Sequence, residues 1–114
     1  MKIAIVGPCG AGKTVLADGL QARDYNARQI AQEHSFVQNM WRVLTKPDIL
    51  IYLDASYETC TKRKRFNWRQ DEYEQQLHRL SNAREQCDIY LQTDDLSTEQ
   101  VLIEILVYLQ GISS

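Results

Sequence analysis

At 114 residues the chain is shorter than one typical domain of ~150 residues, which excludes two independent cores and leaves residues 1–114 as a single domain. Hydrophobic residues make up 44% and charged residues 25%, which excludes the low-hydrophobicity, high-charge regime of disordered chains. A formal net charge of −2 lacks the basic excess of a nucleic-acid-binding domain, so nucleic acid is a disfavoured partner.

In chain order, residues 2–6 form a short β-branched run that leads into a glycine-rich turn, the signature of a buried parallel strand. From Gly12 to Gln21, Val15, Leu16 and Leu20 recur at helical spacing and predict a helix that begins inside the glycine loop. Asp24, Tyr25 and Asn26 read as a turn, and residues 27–33 as a weak second strand with Ile30 its only large apolar side chain. Ser35 and Gln38 have capping-box spacing, so Phe36, Val37, Met40, Trp41 and Leu44 are expected on one face of a short helix that ends before Pro47.

Residues 49–53 are apolar at every position and predict the central strand, with Asp54 at its C-terminal end. A helix after Ser56 carries Tyr57 and Cys60 into a basic cluster, and Tyr73, Leu77, Leu80 and Ala83 stripe a longer helix. Residues 87–92 read as the fourth strand. Ser97 and Gln100 form a second capping-box match, ahead of a helix whose apolar face is Val101, Leu102, Ile105, Leu106 and Leu109. Strands alternating with helices predict an α/β fold, with a parallel sheet of about four strands covered by helices on both faces.

No apolar run approaches the ~20 residues that cross a bilayer, and the run at residues 1–6 is too short for a secretory signal, so the expected location is cytoplasmic and without a membrane partner. Cys9, Cys60 and Cys87 show no paired spacing of a disulfide framework or zinc site and read as reduced thiols.

Residues 7–14, Gly7, Pro8, Cys9, Gly10, Ala11, Gly12, Lys13 and Thr14, match G-x-x-x-x-G-K-[ST] at every fixed position, between a predicted strand and a predicted helix. Glycine lets successive backbone N–H groups turn inward around an anion that side chains would obstruct. In that pattern Lys13 reaches the β- and γ-phosphates, the Thr14 hydroxyl holds Mg²⁺, and the helix N-terminus adds its dipole, so the ligand expected is a nucleoside triphosphate.

Mg²⁺ shares its shell among phosphates, waters and one or two carboxylates, so at least one acid is expected near the loop. Glu33 and Asp54 both end predicted strands. Asp54 fits a metal ligand after a hydrophobic run, against the alternative of a simple turn-forming Asp, and Glu33 a general base at the cleft mouth, against a solvated strand end; either acid is a candidate to orient an acceptor hydroxyl or water. Residues 62–69 hold five Lys or Arg in eight without an acid, and beyond Arg84 six acids face no cation. Arg63 and Arg65 are candidates to close over transferring phosphates, against the alternative of a solvated helix end whose cations favour the C-terminal dipole. Trp41, Phe66, Trp68 and the tyrosines read as core or edge packing. Asp94 and Asp95 read as a helix cap, and Cys9 as a small loop residue.

Taken together, the loop, residues 47–54 before the basic helix, and residues 58–65 resemble the P-loop nucleoside and nucleotide kinases, in a shortened form. The resemblance implies a three-layer P-loop NTPase fold and ATP with Mg²⁺ as ligands. It also makes residues 58–65 a lid helix, and residues 93–97, with Asp94 and Asp95, the segment that packs the adenine ring. Residues 32–35 are similar to the Glu-Arg-Ser of deoxynucleoside kinases, with His34 in place of arginine. Only residues 15–46 separate Thr14 from Pro47, too few for the family's acceptor-binding insertion. The phosphate acceptor is unidentified, and its site is either absent or supplied by a partner protein or a second copy of the chain. Two functions follow as expectations: a small phosphotransferase or ATP hydrolase, or a nucleotide-binding switch that acts through a partner. The lack of an Asn/Thr-Lys-x-Asp motif leans the base toward adenine.

Overall fold

The computed structural model describes residues 1–65 and 67–113, so Phe66, expected as packing, lies outside the described residues. Among them, four strands, β1 (Lys2–Val6), β2 (Asn26–Gln29), β3 (Ile49–Asp54) and β4 (Ile89–Gln92), form one sheet in the order β2-β1-β3-β4. Every pairing is parallel, with Ile5 opposite Gln29 and Ile51, and Asp54 opposite Gln92. β1 and β3 are interior, which accounts for their unbroken apolar runs. Ile3, Ile5, Ile49, Ile51 and Leu53 belong to one core; Ala4, Val6, Leu50 and Tyr52 belong to a second on the opposite face.

The first core is closed by α1 (Lys13–Gln21), α3 (Tyr57–Lys64) and α6 (Thr98–Ser113), through Leu16, Leu20, Cys60, Val101, Ile105 and Leu109. The second is closed by Trp41 from α2 (Met40–Thr45) and by Leu80 and Ala83 around α5 (Ser81–Gln86). The α/β class and the helices on both faces agree with the sequence. β1 connects first to β2 on one side, and the chain then crosses to β3 on the other. This reversal opens a crevice at the C-terminal ends of β1 and β3, where parallel sheets bind ligands.

Several local expectations are corrected. β2 ends at Gln29, not Glu33: after Ile30 N–H bonds the Ile5 carbonyl at 2.9 Å, the chain turns inward as a 3-10 turn over Gln32–His34. The buried Gln32 amide drives this turn, donating to Val37 O (2.8 Å) and Arg79 O (3.2 Å) and accepting from Trp41 N–H (2.9 Å). The Ser35–Gln38 pair is no capping box. Ser35 Oγ accepts from its neighbour Val37 N–H at 3.1 Å, Gln38 reaches across to His78 O, and α2 starts only at Met40. Its expected apolar face dissolves accordingly: Trp41 is buried and Met40 half-buried, while Phe36, Val37 and Leu44 are exposed. Val15 on α1 is exposed as well.

The long helix expected through Ala83 is two, α4 (Gln70–Arg79) and α5, divided at Leu80. Leu80 N–H is shared between Gln76 O and Leu77 O, and Ser81 Oγ takes the His78 carbonyl at 2.8 Å, so the regular ladder lapses there. β4 is shorter than expected because the Asp88 carboxylate accepts Leu50 N–H at 2.7 Å and leads the chain into the strand. The second capping box is present in full: Ser97 Oγ accepts from Gln100 N–H (3.1 Å), and Gln100 Oε1 accepts from Ser97 N–H (2.8 Å). The cysteines are free, Trp41 and Trp68 are buried, and among the described residues no helix is long and apolar enough to cross a membrane.

Replacing Ser97 by Ala removes one half of the reciprocal cap on the longest helix. It should lower unfolding free energy by about 1 kcal/mol in urea titrations, and Ser97→Thr should retain most of it.

Candidate functional site

The site is built from the way the chain leaves β1. At Gly7 a Cβ would stand 2.1 Å from the Leu53 carbonyl oxygen, so only glycine lets the loop pass this close to β3. Gly10 has φ +95° and lies against the Cys60 backbone of α3, and Gly12, at φ +100°, turns the chain into α1. Within the loop, Ala11 N–H bonds Pro8 O at 3.1 Å and Cys9 N–H bonds the Gln76 side-chain oxygen at 2.9 Å. The N–H groups of Gly10, Gly12, Lys13 and Thr14 meet no acceptor among the described residues. Those of Lys13 and Thr14 belong to the first turn of α1, where helical geometry supplies none.

A cavity of about 680 Å³ opens on residues 9–14, bounded also by Ala31, Glu33 and His34 beyond β2, Arg63 and Lys64 of α3, and Leu96, Ser97, Thr98 and Val101 leading into α6. Its lining includes the cations Lys13, Arg63 and Lys64. Val15, Leu96 and Val101 add apolar side chains to the lining.

Lys13 is 7% exposed, and all its ammonium contacts are internal: Gly7 O at 2.7 Å, Pro8 O at 3.3 Å and Glu33 Oε2 at 2.5 Å. Glu33 is 4% exposed and is brought there by the 3-10 turn, whose His34 lies with Nε2 3.9 Å from the same oxygen. Its second oxygen, Oε1, is buried without a hydrogen-bond partner among the described residues. Arg63 crosses from α3 to Thr93, donating to Thr93 Oγ1 (3.0 Å) and Thr93 O (2.5 Å), and reaches Gly10 O at 3.3 Å. Thr93, fully buried after β4, also lies 3.0 Å from Asp54 O and 3.4 Å from Ala11 O, so it ties the loop, β3 and α3 together.

Of the residues singled out from sequence, the structure thus gathers Cys9 to Thr14, Glu33 and Arg63 around one cavity. The acid that approaches the loop is Glu33. Asp54 continues the face of Leu50 and Tyr52, away from the cavity, where its carboxylate accepts from Tyr90 O–H and from Ala55 N–H (3.0 Å) with Arg84 4.0 Å away. Arg65 ends α3 at φ +55° outside the cavity lining, and Arg69 pairs with Asp71 and Glu72 on the surface. Asp94 also stands outside the lining: its Oδ1 accepts Ser56 N–H at 2.8 Å at the start of α3. Partial burial pushes the Asp94 carboxyl upward, but hydrogen bonds from Ser56 N–H and from the Gln92, Ser56 and Thr59 side chains outweigh it and hold the group below the ordinary carboxylate value. Asp95 is exposed, and the neighbours Leu96 to Thr98 supply the wall instead.

Gln76, Gln32 and Thr93 are the anchors that the sequence reading passed over. Gln76 carried a legible signal, since it falls on the stripe of Tyr73, Leu80 and Ala83 at helical spacing and is a polar residue on a buried face. Burial pushes the Cys60 thiol up to about 12, against the lowering effect of Arg63, so it is inert packing behind the loop.

Compared with known proteins, the chain matches no family model and no curated sequence.

Beside the site, Tyr52 and Tyr90 stack at 5.7 Å, and burial raises both, with the Asp54 charge adding to it; Tyr90 rises to about 12. Burial raises Tyr73 to about 12 as well. A raised phenol keeps its proton in the folded state after the unfolded chain has lost it. Stability is therefore fully present below pH ~10 and is lost as pH rises toward 12. Urea midpoints should fall steeply over that window and less steeply in Tyr73→Phe, which removes one of the retained protons.

Proposed function

We propose that this chain is an ATP-binding P-loop protein, a small kinase-like phosphotransferase or ATP hydrolase that works on Mg-ATP. The observation that carries the reading is the loop at residues 7–14: four N–H groups without an acceptor among the described residues, in a segment that lines the cavity with Lys13 against it. The apolar lining residues Val15, Leu96 and Val101 suit contact with a nucleobase.

Catalysis of this type is positioning plus electrostatic stabilisation. Loop amides and Lys13 would hold the phosphates. Arg63, whose fork is spent on Thr93 and Gly10, sets its positive charge on the cavity wall against charge that develops during transfer. Thr14 is exposed on that wall and Glu33 has an unpartnered oxygen, so the oxygen donors present fit Mg²⁺, which when bound would screen the phosphate charge. Glu33 is the carboxylate within reach of an acceptor hydroxyl or water; Asp54, bound to Tyr90, and Arg65 stand apart from this mechanism.

One observation favours the second reading, a nucleotide-binding module that acts through a partner protein: the cavity's only carboxylate lining residue among those described is committed to Lys13. Tight ATP binding without product from any acceptor would distinguish it.

Lys13→Ala alone strands the buried Glu33 carboxylate, which typically destabilises by about 3–5 kcal/mol, so the binding test needs a charge-matched background. In calorimetry with Mg-ATP, Lys13→Ala/Glu33→Gln should bind about 100-fold more weakly than Glu33→Gln, or about 2.7 kcal/mol. Wild-type protein that ignores millimolar Mg-ATP refutes the reading.

A further inference from the structure

An ammonium group has three N–H donors, and Lys13 has three acceptors in place. Two are carbonyls of the loop itself, Gly7 and Pro8, fixed by the close approach of Gly7 to Leu53. The third is Glu33, the one anionic partner and the one that comes from outside the loop. A phosphate oxygen can claim a Lys13 proton only by replacing one of the three. Glu33 is the replaceable one, because a carboxylate beside a phosphate in this low-dielectric site is repelled. Its grip is also incomplete, since Oε1 is buried without a partner among the described residues.

We infer that Glu33 is an internal stand-in for phosphate on Lys13, and that polyphosphate entry releases it from the ammonium, which frees the carboxylate for the metal or acceptor role proposed above, and loosens the 32–34 turn from α4. The inference rests on the nucleotide-binding reading above and names a regulation of the same site. The turn is well placed to pass the change on. Glu33 O accepts from Arg79 at 3.3 Å, Gln32 bonds Arg79 O and Trp41 N–H, and the Arg79 guanidinium lies 4.7 Å over the ring of Phe36, which is 86% exposed. Occupancy of the loop is thereby coupled to the surface at Phe36 and Arg79. Because α4 also holds Cys9 N–H through Gln76, one helix touches both the loop and the turn.

The test uses inorganic tripolyphosphate, which has neither base nor sugar, titrated calorimetrically into the full chain and its Glu33→Gln variant at equal ionic strength. Glu33→Gln keeps an acceptor for Lys13 but removes the competing charge, and should bind at least about 10-fold tighter. Equal or weaker binding overturns the inference. A second measurement on the wild-type chain covers a variant that fails to fold: ¹⁵N NMR signals of the Gln32 side-chain amide and Arg79 Nε should move as tripolyphosphate saturates, and unmoved signals overturn the inference. If wild-type protein binds tripolyphosphate and Mg-ATP but Glu33→Gln binds no tighter, the internal competitor is removed and the nucleotide reading stands. If it binds neither, both fall.

Discussion

A lysine ammonium with 7% exposure has to be solvated by the protein, and the conformation of residues 7–14 answers that need. Lys13 opens α1, yet its side chain folds back beneath the loop to the carbonyls of Gly7 and Pro8, so the loop closes around its own cation. The remaining charge is balanced by Glu33, twenty residues on, which the 3-10 turn after β2 carries to the ammonium. A buried pair of this kind adds little net stability over an apolar substitute, but losing either member is costly. The interaction therefore specifies one arrangement of the loop and the turn.

The rest of the site is arranged to keep that loop in place from a distance. Gln76 contacts Cys9 across 67 residues, and Thr93 contacts Ala11 across 82. Each contact is made by a polar side chain among apolar neighbours, where a hydrogen bond is strong and its absence expensive. Arg63 belongs to the same set. Its guanidinium is anchored by Thr93, which holds the side chain in one arrangement beside the loop. The short stretch between α1 and β3 is used for this scaffolding as well: Gln32 joins α2, α4 and the turn, and leaves Phe36 outside.

Where local chemistry decides structure, reading residues in order is reliable. The apolar runs of β1 and β3 announce strands covered on both faces, the glycine loop announces a strand-to-helix turn, and Ser97 with Gln100 announces the start of α6. Equal local spacing at Ser35 and Gln38 misleads, because Gln38 finds better partners across the molecule at His78 and Ser81, which pattern alone does not reveal. The stripe from Tyr73 to Ala83 runs across a break for a similar reason: Leu80 faces the core in either conformation, so periodicity is blind to the lapse in the ladder.

The α/β class, the order of the principal elements and the glycine-rich turn from β1 into α1 were thus written in the chain itself, since burial on alternate faces and glycine's access to positive φ are properties of neighbouring residues. Tertiary structure alone chose between the two acids. Asp54 shares its strand face with Leu50 and Tyr52 and is delivered to Tyr90, whereas Glu33 lies on a turn that Gln32 and Arg79 pull inward to Lys13. Which carboxylate meets the cation depends on strand register and on side chains arriving from distant helices, and two acids at the ends of two strands look alike until the sheet is assembled.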